Sequence, residues 1–385
     1  MSTQSLKPGW KMVKFGDIAQ NVAVRVDPAD AKTDVYVGLE HLDPSTLHLR
    51  QWGHPSDVTG QKLAFKRGDV IFGRRRAYQR KLAVAEFDGI CSAHAMVVRA
   101  KPKMILPDFL PFFLQSDMFM DRAIEISVGS LSPTINWKTL KVQEFPLPPI
   151  DEQKRIAEIL WAADEALEQF SNASEKLQQT RETYLRGLSS NGAAKKWKVT
   201  KLSKCFEIVS GQVDPKEEPY RSMPLVAPNH IEQNTGRLIC IETAREQNAI
   251  SGKYLFQSGD VVYSKIRPNL RKAFIAEFDG LCSADMYALR PLPDRIMTRF
   301  LLSILLGEHF TSFALTRCVR TGIPKLNRQE LSEYELPLPT IEDQKQISSH
   351  LEAIDAEEQN LIRHRDEVLE LKRQISREYL ETDHV

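Results

Sequence analysis

Two clusters of basic side chains carry most of the chemistry this sequence offers. Between Lys62 and Lys81 eight basic residues face one acid, Asp69, and Arg74, Arg75, Arg76, Arg80 and Lys81 crowd into "RRRAYQRK". The stretch 253–272 sets five basic residues against Asp260, with Lys265, Arg267, Arg271 and Lys272 in "KIRPNLRK". Aromatic and amide side chains lie among them: Tyr78 and Gln79 in the first cluster, Tyr263 and Asn269 in the second. Arginine presents a fork that suits guanine, asparagine and glutamine suit adenine, and lysine or arginine neutralises phosphate. These residue types can hold nucleic acid. They equally suit a solvated turn, so their placement has to decide.

Placement favours the first reading, because the clusters are one feature written twice. "GDVIFGRRRAYQRKLAVAEFDGICSAHAMVVR" (68–99) lies over "GDVVYSKIRPNLRKAFIAEFDGLCSADMYALR" (259–290) at an offset of 191, with 15 of 32 positions identical. The same offset relates "SPTINWKTL" (132–140) to "IPKLNRQEL" (323–331) and "FPLPPIDEQKRI" (145–156) to "LPLPTIEDQKQI" (336–347). Nearer each start Trp10 matches Trp197 at an offset of 187. The chain is therefore a tandem duplication. Within the clusters Arg76/Arg267, Arg80/Arg271 and Lys81/Lys272 persist, as phosphate contacts should. Positions 77–79 and 268–270 differ, as base-reading positions should if the halves read different sequences.

No catalytic constellation competes with this reading. The sequence lacks a phosphate-binding G-x-x-x-x-G-K-[ST] loop, a dinucleotide glycine fingerprint and an Asn/Asp-Pro-Pro-aromatic methyltransferase tetrapeptide. It also lacks H-E-x-x-H and any Cys/His cluster with metal-ligand spacing, so no metal or cofactor is expected. "EQK" (152–154) and "DQK" (343–345) match the acidic-x-Lys end of a nuclease motif. Here they open a helix, with no metal-binding Asp on a preceding strand, and helix-start chemistry explains them better.

The elements that must position the basic clusters read as α+β. Each half comprises a mixed α/β globular part followed by a long helical segment: 1–148, then 149–192, 193–339, then 340–385. "GDVIF" and "GDVVY" follow a Gly-Asp turn signal as short strands, with further strands in "LAVAEF" and "MVVR". Residues 106–125 and 295–314 are apolar at helical spacing and read as buried helices. Asn136 and Asn327 are expected to cap short helices, Asn327 with Glu330 in a capping box. "EFDGICSA" (86–93) and "EFDGLCSA" (277–284) read as turn and close core packing, a shared scaffold.

The helical segments carry a heptad stripe. The first runs through Ile156, Leu160, Ala163, Leu167, Phe170, Leu177, Tyr184 and Leu188, interrupted at Ser174 and Arg181. The second runs through Ile347, Leu351, Ile354, Leu361, Val368, Ile375 and Tyr379, with polar Glu358, Arg365 and Lys372 on its seam. A helix of 38 residues would be roughly 57 Å long.

Composition bounds the rest. With 385 residues, 52 Lys and Arg against 51 Asp and Glu, a nucleic-acid partner must be held by local patches. Five cysteines without a C-x-x-C pair read as reduced thiols in a cytosol. No apolar run reaches the roughly 18–20 residues that cross a bilayer. "MSTQSLKPGWK" lacks a signal-peptide core. The expectation is a cytoplasmic protein with no membrane contact.

Taken together, the duplication, the "GDVVYSK…RK" segment with "FDGLCSA", and the "FPLPPIDEQKRI" helix start resemble the specificity subunit of type I restriction–modification enzymes. The resemblance spans essentially the whole chain. It implies two target recognition domains, each reading half of a split, asymmetric site on double-stranded DNA. They would be separated by two long helices paired antiparallel in a coiled coil that fixes the spacer. It implies no catalysis by this chain. Its partners would be two methyltransferase (M) subunits, which methylate adenine with S-adenosylmethionine, and through them the restriction (R) subunits. Glu358, Arg365 and Lys372 are then expected to pair across the coil or to face a methyltransferase. Gly73 stands where the family usually places serine, as the second half does at Ser264. Two other readings carry different consequences: a free-standing DNA-binding protein of the same fold, and the specificity piece of a split restriction–methylation enzyme.

Overall fold

The structure, a computed structural model, describes residues 6–190, 197–318 and 324–380. The side chain of Leu188, residue Ile323 and the two chain ends of the expected domains lie outside the described residues. The chain divides into two compact units, Met1–Ala173 with Leu361–Val385, and Ser174–Asn360. Each unit thus combines a globular part with pieces of both long helices.

Unit 1 opens with β1 (Lys11–Lys14), the one-turn α1 (Phe15–Ile18), β2 (Ala19–Asn21), β3 (Arg25–Val26) and β4 (Tyr36–Val37). Then come β5 (Lys62–Phe65), β6 (Val70–Phe72), β7 (Leu82–Val84), β8 (Gly89–Cys91) and β9 (Met96–Ala100). Helices α2 (Leu110–Gln115), α3 (Asp117–Glu125) and α4 (Trp137–Leu140) precede β10 (Glu144–Leu147) and the long α5 (Ile150–Ser190). Two four-stranded sheets form, in the orders β2-β9-β6-β7 and β3-β5-β8-β4, and β1 pairs with β10.

The run "VIF" of β6 is apolar at every position because its sheet is covered on both faces. Ile71, Ala83 and Val97 face Val37, Phe65 and Cys91 of the second sheet. Val70, Phe72, Leu82 and Met96 face the aromatic cluster of α2 and α3, which Ile156 and Leu160 of α5 complete.

Unit 2 repeats the plan. Its strands are β11 (Lys198–Lys201), β12 (Phe206–Ile208), β13 (Gln212–Val213), β14 (Leu225–Val226) and β15 (Lys253–Phe256). They continue as β16 (Val261–Ser264), β17 (Ala273–Ile275), β18 (Gly280–Cys282), β19 (Met286–Pro291) and β20 (Glu335–Leu338). Its helices are α6 (Thr298–Leu306), α7 (Glu308–Arg317), α8 (Arg328–Ser332) and the long α9 (Ile341–Leu380). The sheet orders β12-β19-β16-β17 and β13-β15-β18-β14 match unit 1 strand for strand.

Each expected buried helix is two. Ser116 breaks the first: its hydroxyl donates to the Phe113 carbonyl and accepts from the Phe119 N–H, so it ends α2 and caps α3. Extended Gly307 separates α6 from α7. Asn327 and Glu330 form the expected capping box, at 2.9 and 2.8 Å. Asn136 does not cap with its side chain; its backbone carbonyl receives the Thr139 and Leu140 N–H groups.

The long helices run antiparallel. In unit 1 the start of α5 meets the end of α9, with Ile156 and Leu380 in one cluster and Arg155 over the Tyr379 ring. In unit 2 the end of α5 meets the start of α9: Arg181 bonds Asp355 at 3.0 Å and Tyr184 meets His350 at 2.9 Å. Lys372, expected to pair across the coil or face a partner, bonds Asp164 of α5. Arg365 bonds its neighbour Asp366 instead. Seam residues Ile156, Leu160, Ile347 and Leu351 are fully buried because the globular cores also cover them. Leu167, Phe170, Leu177, Ile354, Leu361 and Val368 are half-buried.

Candidate nucleic-acid interface

The densest part of each basic cluster forms the loop from a central strand to the edge strand of its sheet, β6 to β7 and β16 to β17. Each loop holds a single 3₁₀ turn, Ala77–Gln79 or Pro268–Leu270, with an arginine on either side. All four arginines are left-handed: φ is +56° at Arg76, +53° at Arg80, +49° at Arg267 and +45° at Arg271. That conformation costs a non-glycine residue about 1–3 kcal/mol and persists only where the surroundings fix it.

The surroundings do fix it. The Arg76 N–H donates to the Pro133 carbonyl at 2.7 Å, and the Ile135 N–H donates back to Arg74 at 3.0 Å. Arg267 to Pro324 and Leu326 to Lys265 repeat both bonds at 2.8 Å. The duplicated segments "SPTIN" and "PKLN" are thus braces for the loops, a role that sequence comparison marks without explaining. The loop keeps its geometry in both copies although Gly73 replaces the Ser264 of the second.

The side chains divide into two groups. Lys81 donates its ammonium to the Leu39 carbonyl at 2.8 Å, and Lys272 donates to Pro228 at 2.7 Å. Arg80 pairs with Asp117 of α3, and Arg271 with Glu182 of α5 at 3.4 Å. Arg74 donates to the Ala93 carbonyl, and Arg75 reaches Ser132 and His94. Lys265 lies 4.8 Å over the Tyr287 ring. These contacts tie the loop to its own unit, and Lys81/Lys272 and Arg80/Arg271 make them in both copies.

Arg76, Tyr78, Gln79, Arg267 and Asn269 instead stand exposed, with Tyr78 54% accessible. Arg76 matches Arg267 and Tyr78 matches Asn269, so one backbone displays a constant arginine and a variable neighbour in each unit.

The loops lie in a positive field. Burial, then Arg75, Arg74 and Lys62, hold His94 below its usual range. Burial, then Lys325, lower Lys265, with Arg328 adding to the same effect against Asp285. Lys325 and Arg328 join the basic surface of unit 2 from outside the cluster, and the "IPKLNR" repeat was the only sequence signal for them. Such crowding favours an anion close by.

The remaining duplicated motifs are framework. Asp69 and Asp260 of the Gly-Asp pairs are buried and take bidentate bonds from Arg99 and Arg290. Asp88 and Asp279 of the octapeptides accept the N–H of Arg67 and Ser258, each at 2.9 Å. A Cβ on Gly89 or Gly280 would stand 2.4 or 2.5 Å from a phenylalanine ring atom, which explains why both copies keep the glycine.

The acidic-x-Lys triplets are framework too. Gln153 accepts from Leu106 and donates to Met104 and Pro148; Gln344 does the same with Met297, Arg295 and Pro339. Glu152 and Asp343 accept the indole N–H of Trp10 and Trp197 at 3.1 Å. Among the described residues no group of His, Cys, Asp and Glu could hold a metal ion. No helix among them is long and apolar enough to cross a membrane.

A family model described as "Type I restriction modification DNA specificity domain" matches the sequence twice, over residues 8–179 and 194–371. The chain is 27% identical over 395 residues to the type I restriction enzyme EcoDI specificity subunit of Escherichia coli, covering 92% of this chain and 83% of the relative. The MjaVIII specificity subunit of Methanocaldococcus jannaschii is 20% identical, with 90% and 86% coverage. Among solved structures, a type I restriction–modification S subunit from M. genitalium superposes with a TM-score of 0.62 at 15% identity, covering 98% and 97% of the two chains. A chain from a study of assembly and conformational transition of the type I system gives 0.58 at 20% identity, with 98% and 99% coverage. These structures share the fold.

Proposed function

Since the chain belongs to the type I restriction–modification DNA specificity family, we propose that it is the subunit that selects the DNA sequence for such an enzyme and catalyses nothing itself. Each unit reads one part of a bipartite, asymmetric site. The chain presents that site to two adenine methyltransferase subunits and, through them, to restriction subunits, in the cytoplasm. The relatives are named as specificity subunits of type I restriction enzymes, which supports both the role and the partners.

The observation that carries the reading is the loop displayed twice on one backbone. An exposed arginine, Arg76 or Arg267, recurs, and the exposed residues beside it differ, Tyr78 and Gln79 against Asn269, which suits two readers of different text. Within the loops we assign Arg76 and Arg267 to phosphate, and Tyr78, Gln79 and Asn269 to base edges. Arg74, Arg75, Arg80, Lys81, Lys265, Arg271 and Lys272 hold the loops and supply the positive field. Two half-sites multiply selectivity, since each mismatched base pair costs roughly 1–3 kcal/mol.

The test is to express the chain with its host's adenine methyltransferase subunit and map methylated adenines over a genome. One split motif with a constant spacer, lost when this chain is omitted, is the expected result. Absence of a complex and of methylation would favour a free-standing DNA-binding protein.

A further inference from the structure

Unit 1 holds a pocket that the loop assignments leave unused. It measures about 240 Å³ and is walled by Arg25, Lys62 and Arg74, with the amides of Asn21 and Gln61. Ala95 and Met96 form part of its floor, and no acidic side chain lines it. Lys62 is steadied by the Gly60 carbonyl at 2.9 Å, and Arg25 by Gln61 at 3.3 Å. Arg74 donates one terminal nitrogen to Ala93, while its Nε–H is buried and meets no acceptor. A buried N–H left unpaired is costly and marks the place of a missing acceptor.

The other copy lacks this arrangement. Strand pairing sets Arg25 opposite Leu63, and in unit 2 it sets Gln212 opposite Tyr254. One wall cation is therefore absent there. At the floor, Met286 and Tyr287 replace Ala95 and Met96. Lys265, in the place of Arg74, is occupied by the Tyr287 ring.

Converging donors, an unmatched guanidinium N–H and no carboxylate suit a group that only accepts hydrogen bonds and carries negative charge. We infer that this pocket seats one backbone phosphate of the DNA at the half-site read by unit 1, a contact unit 2 does not make. The inference rests on the DNA-binding reading. It makes Arg25, outside the basic cluster, a binding residue, and it makes the two units unequal in their electrostatic grip.

The test measures binding of the full chain to a labelled DNA duplex against salt concentration. Two variants import residues of the chain's own second copy: Arg25→Gln removes the exposed cation, and Ala95→Met fills the floor without changing charge. Each should lower the salt slope by about one unit and leave base preference intact. A wild-type chain that binds no duplex overturns the DNA-binding reading and this inference with it. A wild-type chain that binds while both variants keep its slope overturns the pocket alone. An unchanged slope with altered base preference also overturns it, by making the group a base edge. If Ala95→Met fails to fold, Arg25→Gln decides.

Discussion

Asp164 and Asp355 stand 191 positions apart and occupy the same junction, each in its own unit. Asp164 on α5 bonds Lys372 of α9 and has the His48 ring of the globular part 3.4 Å away. Asp355 on α9 bonds Arg181 of α5 and Arg299 of the globular part. Lys372 is itself the repeat partner of Arg181, so the duplication exchanges the two ion pairs. Each aspartate ties the opposite helix and its own globular part to one point.

Removing one member of such a pair strands the other. The Asp164 side chain is 2% exposed and Lys372 11%. Asp164→Ala should lower unfolding stability by about 3–5 kcal/mol, read from the denaturant midpoint, because the buried ammonium loses its partner. Asp164→Leu with Lys372→Met should recover most of that loss. A double variant as unstable as the single one would show that the pair does not carry the effect.

The glutamines at the helix starts predict a second effect. Gln153 is 1% exposed and Gln344 fully buried, and each closes three backbone groups. Gln153→Ala or Gln344→Ala leaves those groups unpaired and should cost at least about 1–3 kcal/mol in thermal or chemical unfolding. Replacing neighbouring exposed Lys154 by Ala should fall within about 0.5 kcal/mol. Equal effects at both positions would refute the staple.

The left-handed arginines give a clean deletion. Glycine takes positive φ without strain, so Arg76→Gly or Arg267→Gly removes the exposed side chain and keeps the loop. Each should weaken DNA binding on any sequence and lower the salt slope by about one unit. Substituting Tyr78, Gln79 or Asn269 should change which bases one half-site accepts, visible in a methylation map. Arg76→Gly with an unaltered slope would remove that arginine from the phosphate contacts.

Thiols and phenols predict the response to alkali. Burial, then Asp69, pushes Cys91 up to about 12, and burial with Asp260 against Lys265 does the same for Cys282. Burial raises Tyr263 and Tyr334 as well. Unfolded thiols titrate near 8.5, so above roughly that pH the folded chain binds more protons than the unfolded one. Stability should therefore fall as pH rises from about 8.5 towards 12, with Tm as the measure; a flat profile contradicts it. At neutral pH a thiol reagent should label Cys240 first, the exposed cysteine, and the buried thiols only after unfolding.

Repetition made much of this molecule legible from sequence, because a residue kept at a fixed offset is kept for a reason. The reason itself was hidden. Lys81 and Lys272 recur in a basic run, and folding brings their ammonium groups onto backbone carbonyls 42 and 44 residues away. Asp164 and Lys372 lie 208 residues apart, beyond any periodicity. Ser116 was invisible as a helix break because apolar spacing continues across it while one hydroxyl redirects the backbone. Arg25 escaped notice for the opposite cause: it stands alone in sequence and meets Lys62 and Arg74 through strand pairing.

The division into units sets an order of assembly during synthesis. Unit 2 is one continuous run, Ser174–Asn360, whereas unit 1 needs Leu361 onwards to cover Ile156 and Leu160. At about 5–20 residues per second, the ribosome delivers that cover roughly 10–40 seconds after α5 begins to emerge. Through that interval the growing chain carries an apolar helix face whose partner does not yet exist. Unit 1, begun first, is completed only when the end of α9 arrives, after unit 2 has been made.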